Sequence, residues 1–180
     1  MILQGNTIYL RPLETEDADG DYPNWLNDKE VCRYNSHGDT LYTKEMAINY
    51  IKSTQNSSTC KVFAICDKSS DKHIGNIALQ QISHKNQSAE FAILIGKPAS
   101  YSKGVGYEAG KLLLTYAFVN MKLHRVYCGT HQENIAMQSL ALKLGMNKEG
   151  RRQEAIFKNE KFADIVEYGL LNTVLMEKHQ

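Results

Sequence analysis

The chain changes its hydrophobic period several times, and the changes mark its elements. Thr7 to Leu13 reads as a first strand. An acidic stretch follows, with Glu14, Glu16, Asp17, Asp19 and Asp21; Thr15 is placed to cap a helix that Gly20 and Pro23 would break, and the cluster reads as a solvated face. From Thr43 to Lys52 the period becomes helical, with Thr43 as cap and Met46, Ala47, Tyr50 and Ile51 on one side. Lys61 to Cys66 is apolar and rich in β-formers, Asp67 to Lys72 is turn-like, and His73 to Gln80 pairs back as a hairpin. Ser83 to Gln87 turns again into an apolar run from Ala89 to Ile95. Lys111 to Phe118 reads as a helix, Arg125 to Thr130 as a strand and Ile135 to Leu144 as a helix, and Gly150 to Lys158 with Phe162 to Leu171 reads as a closing hairpin.

Composition narrows the class. A chain of 180 residues with 42% hydrophobic content can bury one substantial core, and no repeat or low-complexity linker divides it, so a single domain over residues 1–180 is expected. Twenty-one basic against twenty acidic residues give a net charge of +1, which argues against nucleic acid as the main partner. No apolar run reaches the roughly 20 residues that cross a bilayer, and no signal-peptide layout opens the chain, so a soluble cytoplasmic protein is expected. Cys32, Cys60, Cys66 and Cys128 lack metal-ligand spacing, so neither a metal site nor a disulfide framework is indicated.

The most informative chemistry lies in Tyr101-Ser102-Lys103-Gly104-Val105-Gly106-Tyr107-Glu108-Ala109, between an apolar strand and a helix. Glycines there let backbone approach a ligand, and the first N–H groups of the following helix point at it unpaired. An anion such as a pyrophosphate suits that arrangement. Two familiar loops do not fit: the lysine precedes the glycine rather than following it, and no third glycine with a downstream acid completes a dinucleotide fingerprint. The loop resembles instead the acetyl-CoA loop of the GNAT superfamily of N-acetyltransferases, with Tyr101 where Gln or Arg is usual. Asn134 to Met146 is similar to the superfamily's second motif, with Met146 in place of Phe; Ile8 to Leu13 and the blocks from Glu149 to Leu171 resemble the ribosomal-protein-alanine acetyltransferase branch.

The resemblance implies an α/β fold of the α+β type: a mixed, mainly antiparallel central sheet flanked by helices, with two strands splayed to form the acetyl-CoA cleft. It implies that main-chain groups of Ile93, Leu94 and Ile95 meet the pantetheine arm, that Lys103, Gly104, Val105, Gly106 and Tyr107 meet the pyrophosphate, and that Asn134 lies near the thioester. Asn134 can equally be a plain helix cap before Ile135. A carboxylate must deprotonate the acceptor amine. Glu90, the one charged residue in its strand, matches that position, although strand alternation leaves its face open. The superfamily's usual tyrosine acid is replaced by Ala141; Ser139 is a nearby donor, Tyr107 and Tyr127 are weaker ones, and His124, His131 and Cys128 are less suited. The acceptor wall is expected to include Trp25, Tyr34, Asn35, Ser36 and His37, with core packing the plain alternative for Trp25 and Tyr34.

The expected activity is acetyl transfer from acetyl-CoA to a primary amine, in the first place a protein N-terminal amine, alternatively a small amine such as a nucleotide-linked amino sugar or a polyamine. A different class, a catalytically silent acyl-CoA-binding sensor, fits Ala141 and Tyr101. Oligomeric state, a homodimer included, is left open by the sequence.

Overall fold

A computed structural model describes residues 1–96 and 104–172. Strands β1 (Leu3–Gln4), β2 (Ile8–Pro12), β3 (Lys61–Asp67), β4 (His73–Ser83), β5 (Ser88–Ile95), β6 (Arg125–His131), β7 (Asn147–Lys158) and β8 (Lys161–Leu171) form one sheet in the order β1-β2-β3-β4-β5-β6-β8-β7. The helices are α1 (Tyr22–Trp25), α2 (Lys44–Gln55), α3 (Val105–Thr115) and α4 (Ile135–Lys143), with a 3-10 turn at Thr15–Asp19 and a π-turn at Tyr116–Asn120. This is the expected mixed, mainly antiparallel sheet with helices against it.

Strand alternation gives the sheet two different faces. Phe63 and Ile65 of β3, Ile77 and Leu79 of β4 and Phe91 of β5 join Val105, Ala109, Leu113 and Ala141 from α3 and α4 in the larger core. On the opposite face Ala64 and Cys66 pack with Leu13, Tyr22, Trp25, Leu26, Ala47 and Ile51. α2 begins where Thr43 Oγ1 accepts the Met46 N–H at 3.2 Å. It buries Ala47 and Ile51, one turn apart, with Tyr50 packed alongside; Met46 falls outside that stripe and is exposed. All four cysteines are free, and three of them are buried.

Two local expectations are corrected. Thr15 is the first residue of the 3-10 turn and Glu14 its cap, because the Glu14 N–H is taken by Asp17 Oδ2 at 2.8 Å. The acidic stretch is also not wholly solvated. Asp17 is buried, with its carboxylate on the Arg11 guanidinium at 2.6 and 2.8 Å and on His73 Nδ1 at 3.2 Å. Burial works against that charge, but Arg11 and His73 outweigh it and hold the carboxyl well below the usual carboxylate range.

All sheet neighbours are antiparallel except β5 and β6, which a crossover through α3 makes parallel. Their pairing is short, with Ser88 opposite Arg125, Ala89 opposite Val126 and Glu90 opposite Tyr127. Past that rung β5 continues to Ile95 on β4 alone, and β6 continues to His131 on β8 alone. The sheet therefore splits into a V whose floor is the Glu90–Tyr127 rung. No described helix is long and apolar enough to cross a membrane.

Candidate active site

One wall of the V is the edge of β5 past Glu90, where Phe91 to Leu94 are unpaired with β6. The start of α3 closes on that edge. Gly104 caps α3 with φ of +74°, a left-handed conformation that suits glycine, and its carbonyl accepts the Glu108 N–H at 3.0 Å. The next N–H groups, of Val105, Gly106 and Tyr107, sit in the first turn, where a helix has no acceptor for them. A side chain built on Gly106 would lie 3.5 Å from Leu140 of α4 and 3.8 Å from Ile93 of β5, so these three elements converge there. Glu108 anchors the turn by accepting the Thr7 N–H at 2.9 Å. Ile93, Ile95, Gly104, Val105 and Gly106 are thus gathered at one end of the V; Tyr107 is exposed beside them, and Tyr101, Ser102 and Lys103 lie outside the described residues.

The other wall starts at His131 of β6 and runs into α4. Asn134 caps α4, its Oδ1 accepting the Met137 N–H at 3.1 Å, so the plain reading of this residue holds in the structure. Ser139 is on the exposed side of α4, whereas Ala141 is fully buried in the larger core. His131 packs its ring 5.2 Å from Tyr34, and its Nδ1 accepts the Glu133 N–H at 3.1 Å. That bond leaves the other ring nitrogen protonated, so a neutral His131 offers no free lone pair as a base. Cys128 is no nucleophile here, because burial, with Glu90 and Glu149 adding to it, pushes its thiol up to about 12.

Register decides the face of Glu90. It stands opposite Gln80 on β4 and Tyr127 on β6, and side chains of directly opposed residues share a face. Gln80 lines a cavity of about 290 Å³ on the α2 side of the sheet, together with Ala92 and Leu94 two and four positions along β5. Glu90 therefore belongs to the cavity side, at the floor of the V, with Oε2 accepting from Gln81 Nε2 at 2.7 Å. Burial and the charge of Glu90 both raise the hydroxyl of Tyr127.

Asn35, Ser36 and His37 line the cavity; Tyr34 is not among its lining residues and packs on the ring of His131 instead. Burial of the His37 ring, and the Lys158 ammonium beside it, hold its imidazole below the usual value. Trp25 does not reach the cavity. It is buried on Gly96, where any side chain would collide with the indole, and sits 4.9 Å from the ring of His73. The plain alternative, core packing, describes it. The structure adds Tyr22, Tyr42 and Tyr50, and Asn76 and Gln80 on β4. The two amides carried a signal in the sequence, since polar residues at 76 and 80 interrupt one face of an otherwise apolar strand. The tyrosines come from three separate segments and carried none.

Residues 7–147 match the model of the acetyltransferase (GNAT) domain family. The chain belongs to the GNAT acetyltransferases. It is 30% identical over 176 residues to a probable N-acetyltransferase, YjcK, of Bacillus subtilis (strain 168), a match covering 95% of this chain and 97% of that one. In fold it is similar to RimL, a ribosomal alpha-N-protein acetyltransferase in complex with coenzyme A, with a TM-score of 0.87 at 14% identity over 95% and 98% of the two chains. It is equally similar to the spermidine N-acetyltransferase of Vibrio cholerae in complex with coenzyme A and spermine, with a TM-score of 0.84 at 24% identity over 93% and 96%. The GNAT fold and an N-acetyltransferase activity are thereby given to this chain. Among the described residues no cluster of three or more His, Cys, Asp or Glu side chains could hold a metal ion in this GNAT domain.

Proposed function

We propose that this GNAT enzyme moves the acetyl group of acetyl-CoA, taken up in the V between β5 and β6, to a primary amine presented from the cavity on the α2 side. One observation carries the reading: Ala92, Ile93 and Leu94 line the acceptor cavity while the same stretch of β5 is the free edge of the V. An amine in the cavity thus meets a thioester in the cleft across a single strand, and proximity of that kind lowers a barrier without further chemistry.

Bound acetyl-CoA supplies an activated thioester carbonyl, which the amine attacks so that an amide forms and the C–S bond breaks. The residues have separate tasks in this reading. Main-chain groups of Ile93, Leu94 and Ile95 hold the pantetheine arm, the first N–H groups of α3 from Gly104 to Tyr107, with Lys103, hold the pyrophosphate, and Asn134 lies near the thioester. Glu90 takes the proton of the attacking amine through a water, since only the neutral amine is nucleophilic. With Ala141 buried, the thiolate leaves without a tyrosine acid, as a thiol of ordinary pKa near 8.5 allows. Ser139, facing solvent, is left out of this scheme.

For the acceptor, we favour a peptide N-terminal amine, its first side chain seated in the cavity. A compact amino sugar is the second reading, and the convergence of Asn35, Ser36 and His37 on the cavity favours it. Thiol release from acetyl-CoA, measured with peptides, amino sugars and polyamines, tests the proposal. Turnover on one class supports transfer and names the acceptor; silence with all of them, alongside tight acetyl-CoA binding, replaces it with a non-catalytic acyl-CoA sensor.

A further inference from the structure

We infer that the cavity selects acceptors whose amine is carried on an uncharged body, that the Asn76 amide reads a carbonyl or hydroxyl oxygen on that body, and that polycations are turned away. The inference rests on the cavity being the acceptor site.

Charge is the first observation. Among the described residues, the cavity is lined by aromatic and aliphatic side chains and by Asn35, Ser36, His37, Asn76 and Gln80, with no Asp, Glu, Lys or Arg. Of the carboxylates around it, Asp17 is paired with Arg11 and His73 and Asp39 with Lys158, while Glu90, at the floor of the V with only the neutral Gln81 amide on it, is the one the reacting amine meets, which leaves none for a second ammonium. A polyamine carries a second ammonium that must shed water on entry, and a burial without a counter-ion is strongly unfavourable. A buried cation also stands behind one stretch of the wall. Lys158, itself buried, donates to the His37 carbonyl at 2.6 Å and to Asp39 Oδ1 at 2.8 Å, directly behind the cavity wall. His37, with its imidazole held below the usual value, adds no charge of its own at neutral pH.

Asn76 is the second, independent observation. It is 8% exposed and lines the cavity. His73 Nε2 lies 2.9 Å from the Gly75 carbonyl and 2.8 Å from Asn76 Oδ1. A carbonyl only accepts, so Nε2 carries the hydrogen, and the Asn76 group turned toward it must be its oxygen. The amide N–H₂ is then what remains for the cavity, and among the described residues nothing else takes it. His73 is fixed in turn by Asp17 at Nδ1 and by the Trp25 ring. Asn76 thus presents a preset donor to an acceptor oxygen, and His73 is its positioning residue.

The test uses the protein loaded with coenzyme A and three probes: a neutral tripeptide amide, glucosamine and spermidine. Calorimetry should show at least one neutral probe binding about tenfold or more tighter than spermidine, the worth of one good hydrogen bond. Asn76→Asp should weaken that probe and improve spermidine, bringing the two to parity or beyond, with the Kd of acetyl-CoA unchanged. His73→Leu should weaken the neutral probe about tenfold and leave spermidine and acetyl-CoA as they were, a selective change that a merely structural role would not give. Spermidine binding as tightly as both neutral probes, both neutral probes failing to bind, or an unchanged ratio in Asn76→Asp would overturn the inference. Thiol release recorded alongside keeps the two claims apart: selective binding without release leaves the inference standing and removes the catalytic reading, and release with spermidine preferred does the reverse.

Discussion

The two faces of the sheet offer groups of different kinds. On the α3 and α4 face the groups offered are main-chain ones, the free edge of β5 and the first turn of α3, set over a large apolar core. On the α2 face the groups offered are side chains from α1, the loop after it, α2 and three strands, and behind them lies a polar network of Arg11, Asp17 and His73. A backbone site depends on chain path and tolerates many side chains; a side-chain site is set by residue identity. Cofactor use should therefore survive substitutions that abolish or redirect acceptor use.

The sharpest trial is Glu90→Gln. If the reaction is driven from the side-chain face, the rate at neutral pH falls about 10²- to 10⁴-fold, the range for a lost general base. The Kd of acetyl-CoA should not move, as calorimetry would show. A loss under threefold would put the base elsewhere and weaken the contrast.

Next in size is Asp17→Asn, which leaves Arg11 and His73 facing a neutral group. Removing one partner of a buried ion pair destabilises by about 3 kcal/mol, measured by denaturant unfolding at pH 7. The pH dependence has a definite sign. The Asp17 carboxyl is held below its ordinary value, so its contribution is complete above the usual carboxylate range and is lost as pH falls below it. The variant should lack that part of the acid limb.

Lys158→Met keeps the buried stem but removes the donations to His37 and Asp39. We expect about 2 kcal/mol less stability and a higher acceptor KM from a looser wall, with acetyl-CoA binding again unaffected. Gly104→Ala is the smallest change and the one on the backbone side. Its new methyl meets open space, so only the left-handed φ resists it, at about 1 kcal/mol. Its effect should fall on acetyl-CoA affinity and not on acceptor KM, the mirror image of Lys158→Met.

The same contrast explains what could be read in advance. Strand and helix periods located every large element, because Phe63, Ile65, Ile77 and Leu79 alternate with a period that burial enforces. The glycine spacing at 104 and 106 announced the start of α3, where Gly104 takes the left-handed cap position. Glu90 was visible as the lone charge in its strand, but its face needed the register against Gln80. Asp17 was misread as solvated because one of its partners, His73, is 56 residues away along the chain. Trp25 was placed on the acceptor wall because nothing local reveals that the bare backbone of Gly96 comes to lie beneath it. The cavity itself joins single residues from distant segments, each unremarkable where it stands.

Lys158 belongs to the turn-proximal end of the β7–β8 hairpin, yet it holds a loop 121 residues earlier in the chain. β8 also inserts between β6 and β7, so the last strand described enters the interior of the sheet. During synthesis, α1, α2 and the first five strands emerge well before the residue that fixes the acceptor wall. The loop from Asn35 to Asp39 has its contacts to Val31, Cys32 and Tyr42 from the start, but those to Lys158 only once the hairpin arrives. If that wall is the acceptor site, a refolding chain should accept coenzyme A no later than it accepts an amine, as binding assays at timed intervals would show.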